Sequence, residues 1–243
     1  MSANTILLIA GRELKSYLRS WSGYIIIAAA LFLAGLCFQA FALGGPDKKS
    51  SEVLSQFLFW TGGLNAAAAL FLSMRALAEE RQLGTITLLY SSPVRDSEIV
   101  LGKYAAGLVF MALLLACTLY MPALIFVHGK VSFGHIAGGY LGMMLMAAAA
   151  LAIGMFGSSL TRSPILSLVI SAAILIALVI VWMLARITER PLSDVFSALA
   201  FHGGHFQPFQ SGLITLRNVV YYAAVSYVFL FAATRVVEAR RWR

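Results

Sequence analysis

Charge is scarce in this sequence. Only 12% of its 243 residues are Asp, Glu, Lys or Arg, 60% are hydrophobic, and mean hydropathy is +0.86. A soluble domain carries about twice that charged fraction, so the composition excludes one and predicts an integral membrane protein. Cysteine is nearly absent as well. Cys37 and Cys117 both fall in apolar runs, where they read as small packing residues and leave no disulfide framework and no thiolate metal site. No glycine-rich phosphate loop occurs: Lys49-Ser50 imitates the end of one, but positions 43 and 48 are Leu and Lys where glycines are required. The chain is therefore expected to bind no cofactor and to hydrolyse no ATP itself. The centres of the apolar runs also lack ionisable residues and hold only weaker polar groups such as Gln39, Gln56 and Asn65. That absence argues against an ion-coupled carrier, which needs a buried titratable group.

Two further constellations fall short of chemistry. His202 and His205 stand three apart but flank Gly203 and Gly204 with no third ligand nearby, so a metal site is not expected. Ser158 and Ser159 lack a nearby His or Asp to activate them and read as a helix-packing surface.

What the chain does have is length of hydrophobicity. Apolar runs near 22–43, 55–74, 105–127, 136–157, 165–185 and 218–236 each suffice to cross roughly 30 Å of hydrocarbon as a helix. Their continuity excludes a β-barrel, whose strands alternate. The expected fold is an all-α membrane protein in which six spans follow an N-terminal amphipathic interfacial helix, with short re-entrant or interfacial helices before the last span. A single transmembrane domain, 1–243, is expected. With the N-terminus inside, 12 Lys and Arg residues fall on inner segments and 6 on outer ones, which predicts both termini cytoplasmic. The net charge of +8 is then a topology signal and an attraction to anionic lipid, not to nucleic acid. Ala40-Phe41-Ala42 imitates a signal-peptidase site, but the run before it is a full span and reads as an uncleaved anchor.

In residues 1–21, Ile6, Leu7, Ala10, Leu14, Tyr17, Leu18 and Trp21 share one side of a helix, and Arg12, Glu13, Lys15, Ser16, Arg19 and Ser20 the other; Leu8 and Ile9 break the pattern. Such a helix lies along the inner leaflet, with its basic face towards lipid phosphates or a partner. The outer segment 186–217 predicts a short helix whose stripe is Leu192, Val195, Phe196 and Leu199. Aromatics and glycines then alternate from Phe201 to Ile214, as suits a segment dipping into the outer leaflet. No internal repeat marks an inverted-repeat carrier.

The segment 79–103, EERQLGTITLLYSSPVRDSEIVLGK, is the exception to all this apolarity. Gly84 suits the end of a helix leaving the second span, Thr85 caps a next short helix, Leu88 and Leu89 form its apolar knob, and Pro93 stops it. Glu79, Glu80 and Arg81 before it, and Arg95, Asp96, Glu98 and Lys103 after it, are expected to present mixed charge to a protein surface.

The pattern E-R-x-x-G-T-I-x-L-L-x-x-S-P-V from Glu80, followed by E-I-V-L-G-K from Glu98, resembles the inner loop of type 2 ATP-binding-cassette export permeases. The resemblance extends to the Ser-Leu-Thr-Arg-Ser turn at 159–163. His205-Phe206-x-x-Phe209-x-x-Gly212-Leu213-Ile214, continuing to Arg217-Asn218-Val219-Val220-Tyr221, resembles the gliding-motility permease branch. Thr87 stands where many members carry an acidic residue, which removes one charge contact from the coupling helix. The resemblance implies a permease subunit of the bacterial inner membrane, not an enzyme, that pairs with a second copy or a related permease. It docks on a pair of ABC ATPase subunits, which use ATP and Mg, and a periplasmic accessory protein is a further implied partner. The implied ATPase-coupling residues are Glu80, Arg81, Gly84, Thr85, Leu88, Leu89, Ser92 and Pro93, helped by Arg12 and Lys15; His205, Phe206, Phe209 and Gly212 mark the outer segment. Two other readings stand beside export: an ATPase-coupled mechanotransmitter or scaffold that moves no solute, and a secondary carrier.

Overall fold

The computed structural model describes residues 3–42, 49–84, 94–128, 131–189 and 192–241. It is all-α, with no strand among the described residues. The helices are α1 (Ala3–Arg19), α2 (Trp21–Cys37, continued by a π-helical turn Phe38–Ala42), α3 (Ser50–Ser73), α4 (Ala78–Gln82), α5 (Asp96–Thr118), α6 (Tyr120–His128), α7 (Phe133–Leu160), α8 (Pro164–Ile187), α9 (Leu192–Leu199), α10 (Gln207–Gln210) and α11 (Leu216–Arg241). Six stretches are long and apolar enough to cross a membrane: Trp21–Ala40, Ser50–Gln82, Asp96–Val127, Phe133–Leu160, Pro164–Ile187 and Leu216–Arg240. An even number of crossings returns α11 to the face that carries α1. We call it the terminal face, where Arg240 Nη2 donates to the Leu160 carbonyl at 2.6 Å.

The core sits around α7, whose small residues Ala147, Ala149, Ala150, Ala152 and Gly154 are all buried. With lipid outside, little hydrophobic force drives helices together, and close approach over small side chains supplies the packing instead. Leu151 of α7 fits over Gly107 of α5, where a Cβ would come within 2.7 Å of it. By contrast, α2 buries only Gly23 and Ala34, and α8 only Ser167 and Ser171. These two spans lie on the periphery.

Three breaks depart from simple spanning rods. Ser20 ends α1 in an extended conformation, and its Oγ accepts from Gly23 N at 3.2 Å, which starts α2 in a new direction. Pro122 lacks an N–H and crowds the carbonyl four residues back, so the third span divides between α5 and α6, with Thr118 Oγ1 donating to Leu115 O at 2.7 Å. The second span breaks after α3, and the chain turns through residues 74–77 before α4.

Two sequence expectations are corrected here. The third span begins at Asp96, not near 105, so Asp96, Glu98 and Lys103 belong to its helix and are buried by protein instead of displayed on a surface. Carboxylates in a first turn complement the helix dipole, and Glu98 also accepts from the Arg95 N–H at 3.3 Å. The faces of α1 also differ from the expected ones. Ile9, which interrupted the apolar stripe, is the residue that packs over Gly102 of α5, and Glu13 turns inward beside it. Leu7, Leu8 and Leu18 of α1 and Trp21 at the start of α2 remain exposed, Trp21 by 85%, which suits a helix lying at the membrane interface.

Candidate functional site: the junction at the terminal face

Two turns into α5, Lys103 is held in a place that favours no isolated charge. Its side chain is 2% exposed, and Nζ lies 2.7 Å from Glu13 Oε1 of α1 and 2.8 Å from Glu80 Oε1 of α4. A buried ammonium survives only when paired and hydrogen-bonded. Here one cation ties together three elements 90 and 23 residues apart in sequence. The two carboxylates keep 18% and 21% of their surface, so the cluster opens on one side towards solvent.

That side is a polar cavity of about 290 Å³ lined by Arg12, Glu13, Tyr17, Arg75, Glu79 and Lys103 among others. Arg75 Nε meets Glu79 Oε2 at 3.1 Å across one helical turn. Tyr17 packs its ring edge-on against Phe110 at 5.9 Å. Burial, and then the negative charges of Glu13, Glu80 and Glu79, hold its phenol well above the ordinary range, so it stays a neutral donor.

The base of α4 is fixed from the other side by α7. Ser158 Oγ accepts from both Leu77 N and Ala78 N at 2.9 Å and donates to Met74 O at 3.1 Å. Those are the backbone groups that the break after α3 leaves without helical partners. Arg81 Nη1 donates to the Ser159 carbonyl. The small polar pair expected to be a packing surface is thus a clamp on the joint between α3 and α4. Gly84 follows α4 at φ +72°, the left-handed conformation that suits a glycine after a helix end.

The expected coupling residues therefore divide. Glu80 and Arg81 turn inwards, to Lys103 and to the end of α7. Arg12 and Lys15 stay exposed on α1, with Arg12 at the cavity. Thr85, Leu88, Leu89, Ser92 and Pro93 lie outside the described residues. Sequence reasoning missed Glu13, Lys103 and Ser158. The one usable signal was Glu13 among the polar positions of an amphipathic helix, three and four residues from the apolar positions 10 and 17.

At the opposite face the outer motif is brought together, but inward. Phe206 and Phe209 are fully buried. Phe206 fills the space left by Gly62 of α3, and Phe209 that left by Gly142 of α7, where added Cβ atoms would lie 2.9 and 2.5 Å away. Gly212, at φ +76°, passes so close to α7 that a Cβ would meet His135 Cα at 2.9 Å. His205 is buried, stacked on Tyr221 at 3.9 Å, with Nδ1 2.9 Å from Asn218 Oδ1 and Nε2 3.2 Å from Ala198 O. His202 makes an edge-on contact with Phe59 at 4.5 Å, and burial lowers its pKa. The segment's aromatics Phe201, Phe206 and Phe209 bury against protein. Among the described residues no His, Cys, Asp and Glu group is arranged to hold a metal.

A family model described as ABC-2 family transporter protein matches residues 7–197. The chain belongs to that family. The permease is accordingly a multi-pass membrane subunit of an ABC transporter, and the matched region includes the whole junction of α1, α4 and α5. No curated protein matches the permease significantly.

Proposed function

We propose that the permease is one half of an export unit in the bacterial inner membrane, with both termini cytoplasmic, completed by a second copy or a related permease. A pair of ABC ATPase subunits binds ATP and Mg and docks at the terminal face on Leu88, Leu89 and their neighbours Thr85, Ser92 and Pro93. Arg12 and Lys15 contribute from α1. The observation that carries this reading is the Lys103 junction, which yokes the interfacial helix to the base of the segment that begins at Gly84. A push on that segment reaches α4 and is passed to α7 through Ser158 and Arg81. Packed elements of this kind respond by switching between discrete arrangements, not by gradual bending. Glu80 and Arg81 act in this scheme as transmitters behind the contact surface.

One observation favours a second reading within the same class. The distal segment is wedged into α3 and α7 by Phe206 and Phe209, and these two helices also lead to the terminal-face clamp. A motion started at one face is thereby delivered to the other, as work on a periplasmic partner requires. The outer motif from His205 to Gly212 supports the gliding-motility-like branch in the same sense.

The test is purification of the tagged chain from native membranes in mild detergent, with mass spectrometry and an ATPase assay on what remains bound. A stoichiometric ATP-binding subunit is expected with wild type and is lost with Leu88→Asp, while membrane insertion is unchanged. Normal recruitment by Leu88→Asp would sink the coupling assignment. ATPase activity without vesicle transport would select the mechanical reading.

A further inference from the structure

The polar cavity at the junction has an apolar neighbour on the same pair of spans. Ser22 and Arg75 line the cavity, and Ile25 of α2 and Phe71 of α3, three and four residues from them in sequence, line an apolar groove between those two helices. Ile25, Ala29 and Leu33 of α2 and Leu64, Ala68 and Phe71 of α3 line it, over about 220 Å³. The span from Ile25 to Leu33 corresponds to about 12 Å along the helix axis. A charged chamber at the level of an interfacial helix thus lies next to an apolar groove that runs along the membrane-spanning helices. That is the polarity profile of one phospholipid molecule.

The chamber also selects the headgroup. Three cations, Arg12, Arg75 and Lys103, face three carboxylates, Glu13, Glu79 and Glu80. A lining of zero net charge gains little from a simple anion, whereas it complements a ligand that carries both signs. Lys103 is occupied by two carboxylates and Arg75 by one. Arg12 is exposed and has no ion pair among the described residues. The Tyr17 hydroxyl has no hydrogen-bond partner among them either, although the ring is packed against Phe110. An unpaired guanidinium and an unpaired phenol in one chamber suit a phosphodiester, which accepts charge-assisted hydrogen bonds from both. The partly exposed edges of Glu13 and Glu79 suit a primary ammonium, which donates three.

We propose that this slot holds an aminophospholipid such as phosphatidylethanolamine, with its phosphate at Arg12 and Tyr17, its ammonium at Glu13 and Glu79, and one acyl chain in the groove between α2 and α3. The lipid forms part of the junction and fills the space between α1 and the bundle. The proposal shares Arg12 with the ATPase contact set and is tested on the chain alone, without an ATPase, so that the two readings can fail separately.

The experiment is native mass spectrometry of the full-length permease, exchanged into detergent with equal amounts of phosphatidylethanolamine, phosphatidylglycerol and phosphatidylcholine. Phosphatidylethanolamine is expected to be retained about tenfold over the other two, the factor that one lost charged hydrogen bond implies. Arg12→Gln is expected to reduce that retention about tenfold, and Tyr17→Phe, which keeps the packing on Phe110, about fivefold. Ala29→Trp, which fills the groove without touching the chamber, is expected to displace the lipid as well. Successive N-methylation of the lipid is expected to weaken retention most when the last N–H is lost. Equal retention of all three lipids, preference for phosphatidylglycerol, or unchanged retention by both Arg12→Gln and Tyr17→Phe would overturn the assignment.

Discussion

Lys103→Met removes the one cation that Glu13 and Glu80 share, and the structure sets the size of the effect. The ammonium is almost wholly enclosed, so the variant leaves two carboxylates facing each other across an apolar side chain. Breaking a buried pair by deleting one partner costs about 3–5 kcal/mol. The lower end applies here, because each carboxylate keeps about a fifth of its surface and draws some compensation from water. About 3 kcal/mol corresponds to a factor on the order of 100 in an opening equilibrium. The element that opens is α1, which is joined to the bundle through Lys103, through Ile9 over Gly102 and through Tyr17 against Phe110. Hydrogen exchange of peptides within Ala3–Arg19, measured in detergent with the centre of α7 as reference, is therefore expected to accelerate on the order of 100-fold, while α7 is unchanged. The triple variant Lys103→Met, Glu13→Gln, Glu80→Gln removes all three charges together, and such replacements are often close to neutral. It is expected to recover most of the protection. Exchange in Lys103→Met within threefold of wild type would refute the claim that the ion cluster fastens α1. A triple variant as fast as the single one would show that the loss comes from packing and not from stranded charge.

Two further outcomes follow from the same geometry. Ser158→Ala strands the buried N–H groups of Leu77 and Ala78, at about 1–3 kcal/mol for each donor left unsatisfied; it is expected to lower the melting temperature and to raise exchange in α4 before any other helix, and an unchanged α4 would contradict the clamp. His202 is held neutral by burial, with its pKa below the ordinary 6.5. The unfolded chain then binds the extra proton, so the contribution of His202 is complete above about pH 6.5 and is lost as pH falls through the lower folded value, at no more than about 1.4 kcal/mol per pH unit. His202→Leu is expected to flatten the melting temperature between pH 7 and 5, and an identical acid slope in both proteins would remove His202 from the account.

The spans were legible in the sequence because lipid selects for continuous apolarity, a local property. The inner ends of those spans were not. Asp96, Glu98 and Lys103 look like loop charges by composition, since nothing in their neighbourhood announces Glu13, which approaches Lys103 from 90 residues away. Ile9 looked like an error in an amphipathic pattern because that pattern assumes one apolar face, whereas α1 has a lipid side, with Leu7 and Leu8, and a protein side, with Ile9 over Gly102. The outer motif was visible as a motif, yet its aromatics gave no hint of direction. Only the glycines opposite, Gly62 and Gly142, explain why Phe206 and Phe209 turn inward. Pro122 did carry a readable signal for the break between α5 and α6; the π-helical turn at Phe38–Ala42 has no evident one.

The charge cluster also bears on where the energy for the permease enters. An ion-driven carrier needs a titratable site reachable in turn from both faces. Within the described portions of the spans, the buried Asp, Glu, Lys and Arg residues are Asp96, Glu98 and Lys103, all near the start of the third span, and the cation of Lys103 is paired with two carboxylates. It lies 7 residues from the start of a helical span that ends at Val127, which leaves roughly 36 Å of helix between Lys103 and the far end. A proton bound there has entered one face and crossed almost nothing. The same position is well suited to a mechanical role, because it links α1, α4 and α5 at one face, while Ser158 and Arg81 carry the linkage into the most buried helix. The arrangement thus favours work delivered at the terminal face over an ion moving through the bundle, and it is the physical reason for assigning the proposed ATPase to that face. Transport driven by a pH gradient in vesicles free of nucleotide, abolished by Lys103→Met, would reverse this argument.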